Sequence, residues 1–535
     1  MAGALLLLIG FGKNVALETL PFQLLHQKNG SAPEAFGSSI AGVGDVNGDG
    51  KADFVVGNPL ANPDGFSKVG AIYVYSGADG DLLYQVDGVS PEGGFGYSVA
   101  QTGDLDGDSK SDLIVGAPYT SPNAKFQAGS VFILSGSNGS TMLQKDGAAQ
   151  LDYFGTSVAG AGDVNNDGKT DFMVGATGTD VGGHPNAGSV FVYSGTDGSP
   201  LFRKDGSSMS EFFGTSVAGT GDVDGDGYAD FVIGTPYAED PDSAQSFNSG
   251  AAFVYSGRDG SLLFNFQSDK EDDNLGYSVS GAGDVNGDGR SDFVVGVPHI
   301  NNIGPSDVGR AIIYSGGDGS ALWILHGDAV GDYFGTSVAG TGDVDGDGKG
   351  DVAVGAFGAE NGGQFQAGAA FVFSGADGAL LFRLNGARAY DRMGVPVAGA
   401  GDVNADGYAD FIISAPQADT GRGQVFVYGL VPTDAPDEIA NRPARFELAQ
   451  NYPNPFNPAT TIRYRLPRQE RVALEIFNLL GERVNLLADG LQAAGEYAFS
   501  WNGTDKKGKT LPSGIYFYRL RGRDFSETKK MLLLK

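Results

Sequence analysis

Hydrophobic residues in this chain come in short runs that return at a long, fixed interval. The run Asp53-Phe54-Val55-Val56 is matched by runs opening at Asp112, Asp171, Asp230, Asp292, Asp351 and Asp410. Its β-branched and aromatic make-up favours strand over helix. Within the third unit the pattern predicts four strands: residues 154–160, built of small side chains, then 171–175, 188–193 and 200–203. The last two are joined through Asp197-Gly198, a pair that makes tight hairpins. A unit of this size cannot bury a core alone, so its copies must stack. Four antiparallel strands repeated radially make a β-propeller, and seven units make seven blades.

A ring must close. The last unit supplies three strands, ending at residues 424–428, and no fourth follows. The orphan Phe-Gln-Leu-Leu-His at 22–26 is patterned like residues 82–86 and is expected to complete blade 7, which removes an open sheet edge. Residues 431–445 form a polar, Pro-containing linker. Beyond it, alternating segments at 461–464, 472–477, 497–501 and 515–520 predict a small Ig-like β-sandwich over 446–535. The fold class is therefore all-β, a seven-bladed propeller over 20–430 followed by a sandwich.

Ahead of each buried run stands an acidic loop, first written Asp45-Val46-Asn47-Gly48-Asp49-Gly50-Lys51-Ala52-Asp53. Counting its first Asp as position 1, positions 1, 3, 5 and 9 carry side-chain oxygens in all seven copies, and the position 7 carbonyl would complete a cage. The candidate ligands are Asp45, Asn47, Asp49, Lys51 and Asp53; Asp104, Asp106, Asp108, Lys110 and Asp112; Asp163, Asn165, Asp167, Lys169 and Asp171; and Asp222, Asp224, Asp226, Tyr228 and Asp230. They continue with Asp284, Asn286, Asp288, Arg290 and Asp292; Asp343, Asp345, Asp347, Lys349 and Asp351; and Asp402, Asn404, Asp406, Tyr408 and Asp410. Short oxygen ligands crowding a tight loop suit Ca²⁺, one ion per blade and up to seven in all. An EF-hand would need an acid at position 12 and a helix after it; here position 12 is Val56, Val115, Val174, Ile233, Val295, Val354 or Ile413, within a strand. The alternative is a set of metal-free acidic turns held by Asx hydrogen bonds. Ser109 replaces the position 6 glycine, and Asn166 and Ala405 replace the position 4 glycine, so the Ser109 loop is expected to be the weakest site.

Composition narrows the choice. The net charge of −30 argues against a nucleic-acid partner, whose phosphates need Lys and Arg. With no cysteine, there is neither a disulfide framework nor a thiolate metal site. The apolar run 2–11 is too short to span a bilayer and reads as the core of a shortened signal peptide over 1–19, or else as a buried N-terminal strand; no transmembrane segment is expected. His26, His184, His299 and His326 make no zinc-type pair. No nucleophile elbow, P-loop or Rossmann fingerprint occurs, and no catalytic residue is nominated.

The residues also carry two resemblances. Phe36-Gly37, Phe95-Gly96, Phe154-Gly155, Phe213-Gly214 and Phe334-Gly335, the acidic loops, and Gly116-Ala117-Pro118 resemble the FG-GAP repeats of integrin α-subunit propellers; Leu275 and Met393 stand in for the phenylalanine in two copies. That resemblance implies Ca²⁺ in the loops and a protein-binding face. Asn-Tyr-Pro-Asn-Pro-Phe-Asn-Pro at 451–458, Asn478-Leu479-Leu480-Gly481-Glu482, Trp501-Asn502-Gly503, Ser513-Gly514-Ile515-Tyr516 and the terminal Lys530-Met531-Leu532-Leu533-Leu534-Lys535 resemble the C-terminal sorting domain of the bacterial type IX secretion system, itself related to a flagellar-hook Ig-like domain. This implies export by the type IX machinery to the bacterial cell surface or the medium.

The leading expectation is a secreted calcium-binding propeller that binds protein or glycan on the face opposite the calcium loops. A glycan lyase or hydrolase and a purely structural envelope protein are the alternatives. The loops between strands 2 and 3 are expected to vary most and to offer Tyr119, Phe126, His184, Tyr237, Phe247, His299 and Phe365; those between blades add Tyr153, Phe212, Tyr333 and Tyr390.

Overall fold

The second strand of each repeat is buried along its whole length: Asp53–Asn58, Asp112–Ala117, Asp171–Ala176, Asp230–Thr235, Asp292–Val297, Asp351–Ala356 and Asp410–Ala415. Each is flanked on both sides in its own sheet and covered above and below by neighbouring sheets, which explains runs that are apolar at every position rather than at alternate ones. The fourth strands, such as Leu82–Asp87, alternate between exposed and half-buried positions because they form the outer rim. A computed structural model describes residues 22–534 apart from 33, 63–66, 240–247, 269, 299–307, 431–446, 467–469, 493–494, 507–508 and 523–524. The expected leader and linker, with His299 and Phe247, lie outside the described residues. The chain divides into two compact units, Met1–Val431 and Pro432–Lys535.

The first unit is a seven-bladed propeller. Six sheets take their four strands consecutively from the chain; the seventh joins Val397–Gly401, Asp410–Ala415 and Gln424–Leu430 to Phe22–Asn29. His26 in that N-terminal strand donates from Nε2 to the Gly77 carbonyl of blade 1 at 2.6 Å. Tyr84 and Trp323 sit at the matching place in blades 1 and 5, and each reaches the carbonyl of the next blade's hairpin glycine, Gly136 at 2.6 Å and Gly375 at 2.8 Å. Trp323 is thus a half-buried strap between blades rather than a residue of the core.

Innermost strands stand side by side around the axis. A Cβ on Gly160, Gly219, Gly281 or Gly340 would lie 2.3–2.7 Å from the adjacent blade's carbonyl oxygen, so only a hydrogen fits. The opening Phe of each repeat is buried in five blades, and Leu275 and Met393 fill the same apolar place in the other two. Blades are also pinned by hydroxyls. Ser39, Ser98, Ser157 and Ser216 donate to the carbonyls of Gly96, Gly155, Gly214 and Gly276 in the following blade, at 2.7–3.0 Å. In blade 7 Pro396 occupies the serine position and has no hydroxyl to give. Ser414, on the neighbouring strand where the other six blades carry glycine, donates to Gly37 at 2.7 Å instead.

The second unit is a two-sheet β-sandwich, one sheet formed by Glu447–Leu448, Thr460–Leu466 and Gly495–Trp501, the other by Arg483–Gln492, Glu470–Phe477, Gly514–Arg521 and Ser526–Leu533. Its core gathers Ile462, Tyr464, Leu474, Ile476, Trp501, Tyr518 and Met531. The proline-rich entry is anchored by Phe456, buried 5.6 Å from the Trp501 ring. Tyr518 Oη accepts from the Asn451 amide at 2.8 Å and donates to the Ala449 carbonyl at 2.7 Å.

Candidate metal centres

All acidic loops lie on one face of the propeller. In an antiparallel blade the strand 1–2 and 3–4 connections share one end and the 2–3 and interblade connections share the other. In the six blades with a strand 3–4 hairpin, the acidic loop therefore abuts the hairpin of its own blade.

Loop 1 shows how the sequence folds locally. Asp45 Oδ1 accepts from the amides of Gly48 and Asp49 at 2.7 and 3.0 Å, and Oδ2 accepts from Gly50 at 2.8 Å. Asn47 Oδ1 accepts from Asp49, and Asp49 Oδ1 from Lys51. These are successive Asx turns that draw the oxygens of positions 1, 3 and 5 inward. The bond from the position 6 amide to the position 1 carboxylate recurs in every copy, at 2.8–2.9 Å. It needs a left-handed residue at position 6, and Ser109 adopts φ 67° to make it, as Asn166 and Ala405 adopt φ 57° and 62° at position 4. Serine and alanine carry a steric cost there that glycine does not.

The position 9 aspartates do something the sequence does not announce. All seven are fully buried. One oxygen of each accepts from the position 2 amide at 2.8–2.9 Å, closing the loop on itself. In six blades the other oxygen accepts from a hairpin glycine amide: Gly77, Gly136, Gly195, Gly257, Gly316 or Gly375. In blade 7 the third strand runs on to Leu430 without turning, and Asp410 Oδ1 has no hydrogen-bond partner among the described residues. Burial pushes all seven carboxyls up, Asp171 and Asp230 to about 6, Asp351 and Asp410 to about 8; for Asp351 the neighbouring Asp345 adds to the effect.

Three loops bring a carboxylate triad within 4.8 Å: Asp104, Asp106 and Asp108; Asp222, Asp224 and Asp230; Asp343, Asp345 and Asp347. In blades 1, 3, 5 and 7 position 3 is asparagine, so an amide oxygen replaces one carboxylate. Like charges this close repel one another unless a cation neutralises them. The donor set is all oxygen, and the loops fit a hard divalent ion.

Position 7 was nominated only for its carbonyl, yet its side chains bridge blades. Lys169 Nζ donates to the Asp104 carbonyl at 2.9 Å, Lys349 Nζ to Asn286 at 3.4 Å, and Arg290 reaches Val223 at 3.5 Å. Position 8 amides link the same loops: Ala52 to Asp402, Ala229 to Asp163, Ser291 to Asp222, Gly350 to Asp284 and Ala409 to Asp343, at 2.9–3.3 Å. These bonds join neighbouring acidic loops across six of the seven blade boundaries.

The opposite face differs. Its strand 2–3 connections have one length in five blades (59–70, 118–129, 177–188, 298–309 and 357–368), with 236–250 longer and 416–423 shorter. The expectation of variable length holds for two blades only; in the rest it is content that changes. Tyr119 lies edge-on to Tyr97 and Tyr153, Tyr237 packs on Phe212, and Tyr333 stacks on Phe357 at 4.6 Å, so these rings are held among themselves. Phe126, Phe365 and Tyr390 are exposed at 60%, 51% and 57%, and His184 is exposed.

Comparison with known proteins bears on this arrangement. The FG-GAP repeat model matches residues 36–75, 95–134, 154–193, 213–255, 275–314, 334–373 and 395–428, and the FlgD Ig-like domain model matches 457–524. The chain is 34% identical to integrin alpha-5 of Xenopus laevis over 238 residues, 42% of this chain and 21% of that protein. It is 34% identical to integrin alpha-V of Gallus gallus over 212 residues, 37% of this chain and 20% of the relative, and 32% identical to integrin alpha-PS2 of Drosophila melanogaster over 218 residues, 37% and 15%. The chain spans about a fifth or less of the length of these curated relatives.

Proposed function

The chain belongs to the FG-GAP repeat family, and from that premise we propose that it is a secreted or cell-surface propeller that holds Ca²⁺ on one face and binds a protein or glycan with the other. The observation that carries this is the contrast between faces. One repeats a single hydrogen-bonded loop seven times; the other sets different side chains on a shared frame, with Phe126, Phe365 and Tyr390 standing in solvent. Binding residues concentrate on loops held by a rigid scaffold, and exposed aromatics are efficient anchors.

In this reading positions 1, 3, 5, 7 and 9 of each loop hold the ion, and among the described residues Asp410 keeps one carboxylate oxygen unengaged. Bound Ca²⁺ neutralises the clustered carboxylates and stabilises the folded ring. Residues 1–19 act as a leader, 20–430 form the propeller, 431–445 a linker, and 446–535 the signal for type IX export. Support for the last comes from the FlgD Ig-like match and from Phe456, which ties the proline-rich entry into the sandwich core. Among the described residues, no helix is long and apolar enough to cross a membrane.

The test is a protein and glycan array probed with the full chain in Ca²⁺ and in chelator. A ligand is expected whose binding falls with Phe126→Ala and Phe365→Ala and survives Asp197→Ala in a calcium-face hairpin. The reverse pattern would place the site on the wrong face. For export, removal of residues 446–535 should trap the propeller in the envelope of a bacterium carrying the type IX machinery; normal release of the shortened chain would refute that role.

A further inference from the structure

Blades 6 and 7 and the closing N-terminal strand meet, on the face away from the acidic loops, at an open cleft of about 490 Å³ lined by Gln27, Asn29, Arg388, Asp419, Arg422 and Gln424 among others. A second lobe adjoins it and shares Arg388 and Asp391, adding Tyr390, Gln417 and Thr420. The first unit is strongly acidic: 14 basic and 9 acidic residues in 446–535 leave a net −35 for the rest of the chain. Against that background, two guanidinium groups at one cleft are an exception.

They are not used up. Arg388 and Arg422 both face Asp419, but at 3.6 and 3.7 Å, beyond hydrogen-bonding distance, and the three side chains are exposed at 71%, 50% and 49%. A pair this loose and wet is weak, so Asp419 leaves both guanidinium groups accessible to another anion. The other acid at the cleft, Asp391, is buried and already accepts from the Arg388 backbone amide at 2.8 Å. The arginines are nonetheless well placed. Arg422 is fixed through its carbonyl, which accepts from the Phe36 amide of blade 1 at 3.2 Å. Two guanidiniums with free forks match carboxylate or sulfate oxygens in bidentate fashion.

The rest of the lining is amide and aromatic. Gln27 and Gln424 both donate to Asn29 Oδ1, at 3.1 and 3.0 Å, which sets a row of side-chain amides beside the arginines. At the far lobe Tyr390 is steadied edge-on by Phe365, with ring centroids 5.7 Å apart. Amides suit hydroxyls, and an exposed ring suits the flat apolar face of a sugar. Most residues lining the two lobes are polar or charged.

From this juxtaposition we infer that the cleft binds an acidic oligosaccharide, its carboxylate or sulfate held by Arg388 and Arg422 with Asp419 displaced, and its ring on Tyr390. This deepens the binding reading given above by naming a ligand class and a place.

The test uses the full chain with Ca²⁺ present and three probes of matched length: oligogalacturonate, a chondroitin sulfate oligomer and a neutral cello-oligomer, measured by calorimetric titration. One or both acidic probes should bind and the neutral one should not; which acid binds separates uronate from sulfate recognition. Arg388→Ala with Arg422→Ala should weaken binding at least about tenfold at unchanged melting temperature, and Arg388→Lys with Arg422→Lys should fall between, since charge stays but the fork is lost. Equal binding by the double alanine variant would overturn the proposal and assign the affinity to the basic C-terminal unit. Equal binding of the neutral probe would overturn it as well. If neither acid binds but the array finds a ligand sensitive to Phe126→Ala, the cleft is wrong and the binding propeller stands; if no ligand is found either way, both readings fail.

Discussion

The two faces of the propeller are built from the same repeats and obey different rules. On the acidic face, loop length, hydrogen bonds and left-handed positions recur blade after blade, down to Ser109 and Ala405 accepting an unfavourable φ to keep the pattern. On the other face the connections keep their frame but not their residues, so Phe126, His184 and Arg422 occupy related loops with unrelated chemistry. Repetition marks what the ring needs to exist, and variation marks where it is free to specialise.

Removing calcium should separate the faces most sharply. With about millimolar Ca²⁺ and a Kd near 10⁻⁴ M, each site contributes ~1.4 kcal/mol and seven together at most ~10 kcal/mol. Calorimetry with and without chelator should show a large drop in melting temperature, while an unchanged value would dismiss the metal assignment. Single substitutions come next. Asp112→Ala strips partners from the half-buried Leu105 amide and the buried Gly136 amide and should cost ~3 kcal/mol, whereas Phe126→Ala on the other face should stay within ~0.5 kcal/mol; similar losses at both would erase the contrast. A smaller gain is expected from Ser109→Gly, ~1 kcal/mol from relief of the left-handed strain, read as a higher melting temperature and tighter Ca²⁺ binding.

The smallest effect concerns pH. Burial holds the His26 imidazole below its ordinary pKa, partly opposed by the Gly77 carbonyl. As pH falls, the unfolded chain takes up this proton first, near pH 6.5. Folding is therefore undisturbed by His26 above that value and loses stability below it. His26→Gln, which keeps an N–H donor, should flatten the pH 7 to 5 stability profile slightly; a profile identical to that of the parent chain would clear His26 of any part.

Much of this was legible in the sequence because it is local. The spacing of Asp45, Asn47, Asp49 and Asp53 writes its own turn, and an apolar run such as Phe54-Val55-Val56 can only be a strand buried on both faces. What escaped is what depends on the gap between blades. Nothing near Asp53 says that its second oxygen meets Gly77, and nothing near Lys169 or Ala52 says that they reach the adjacent loop. The Arg388–Arg422 cleft escaped for a plainer reason, since Gln27 and Gln424 come from opposite ends of the propeller sequence. In the sandwich, Arg483–Gln492 went unread as a strand because Asn485, Asp489 and Gly490 interrupt any alternation.

The closing strand also gives the ring a mechanical character. Phe22 pairs with Leu430 at one end of blade 7 and Asn29 with Gln424 at the other, so the chain enters and leaves the propeller at the same end of this pair. Tension between the segment before Phe22 and the segment after Leu430 does not share its load across the strand; it peels one backbone pair at a time, starting from Phe22. Every propeller strand other than these two is tethered to neighbouring strands by covalent connections at both ends. A pulled propeller therefore opens first at blade 7, and the bared edge of Gln424–Leu430 is then a template for the same strand from a second molecule.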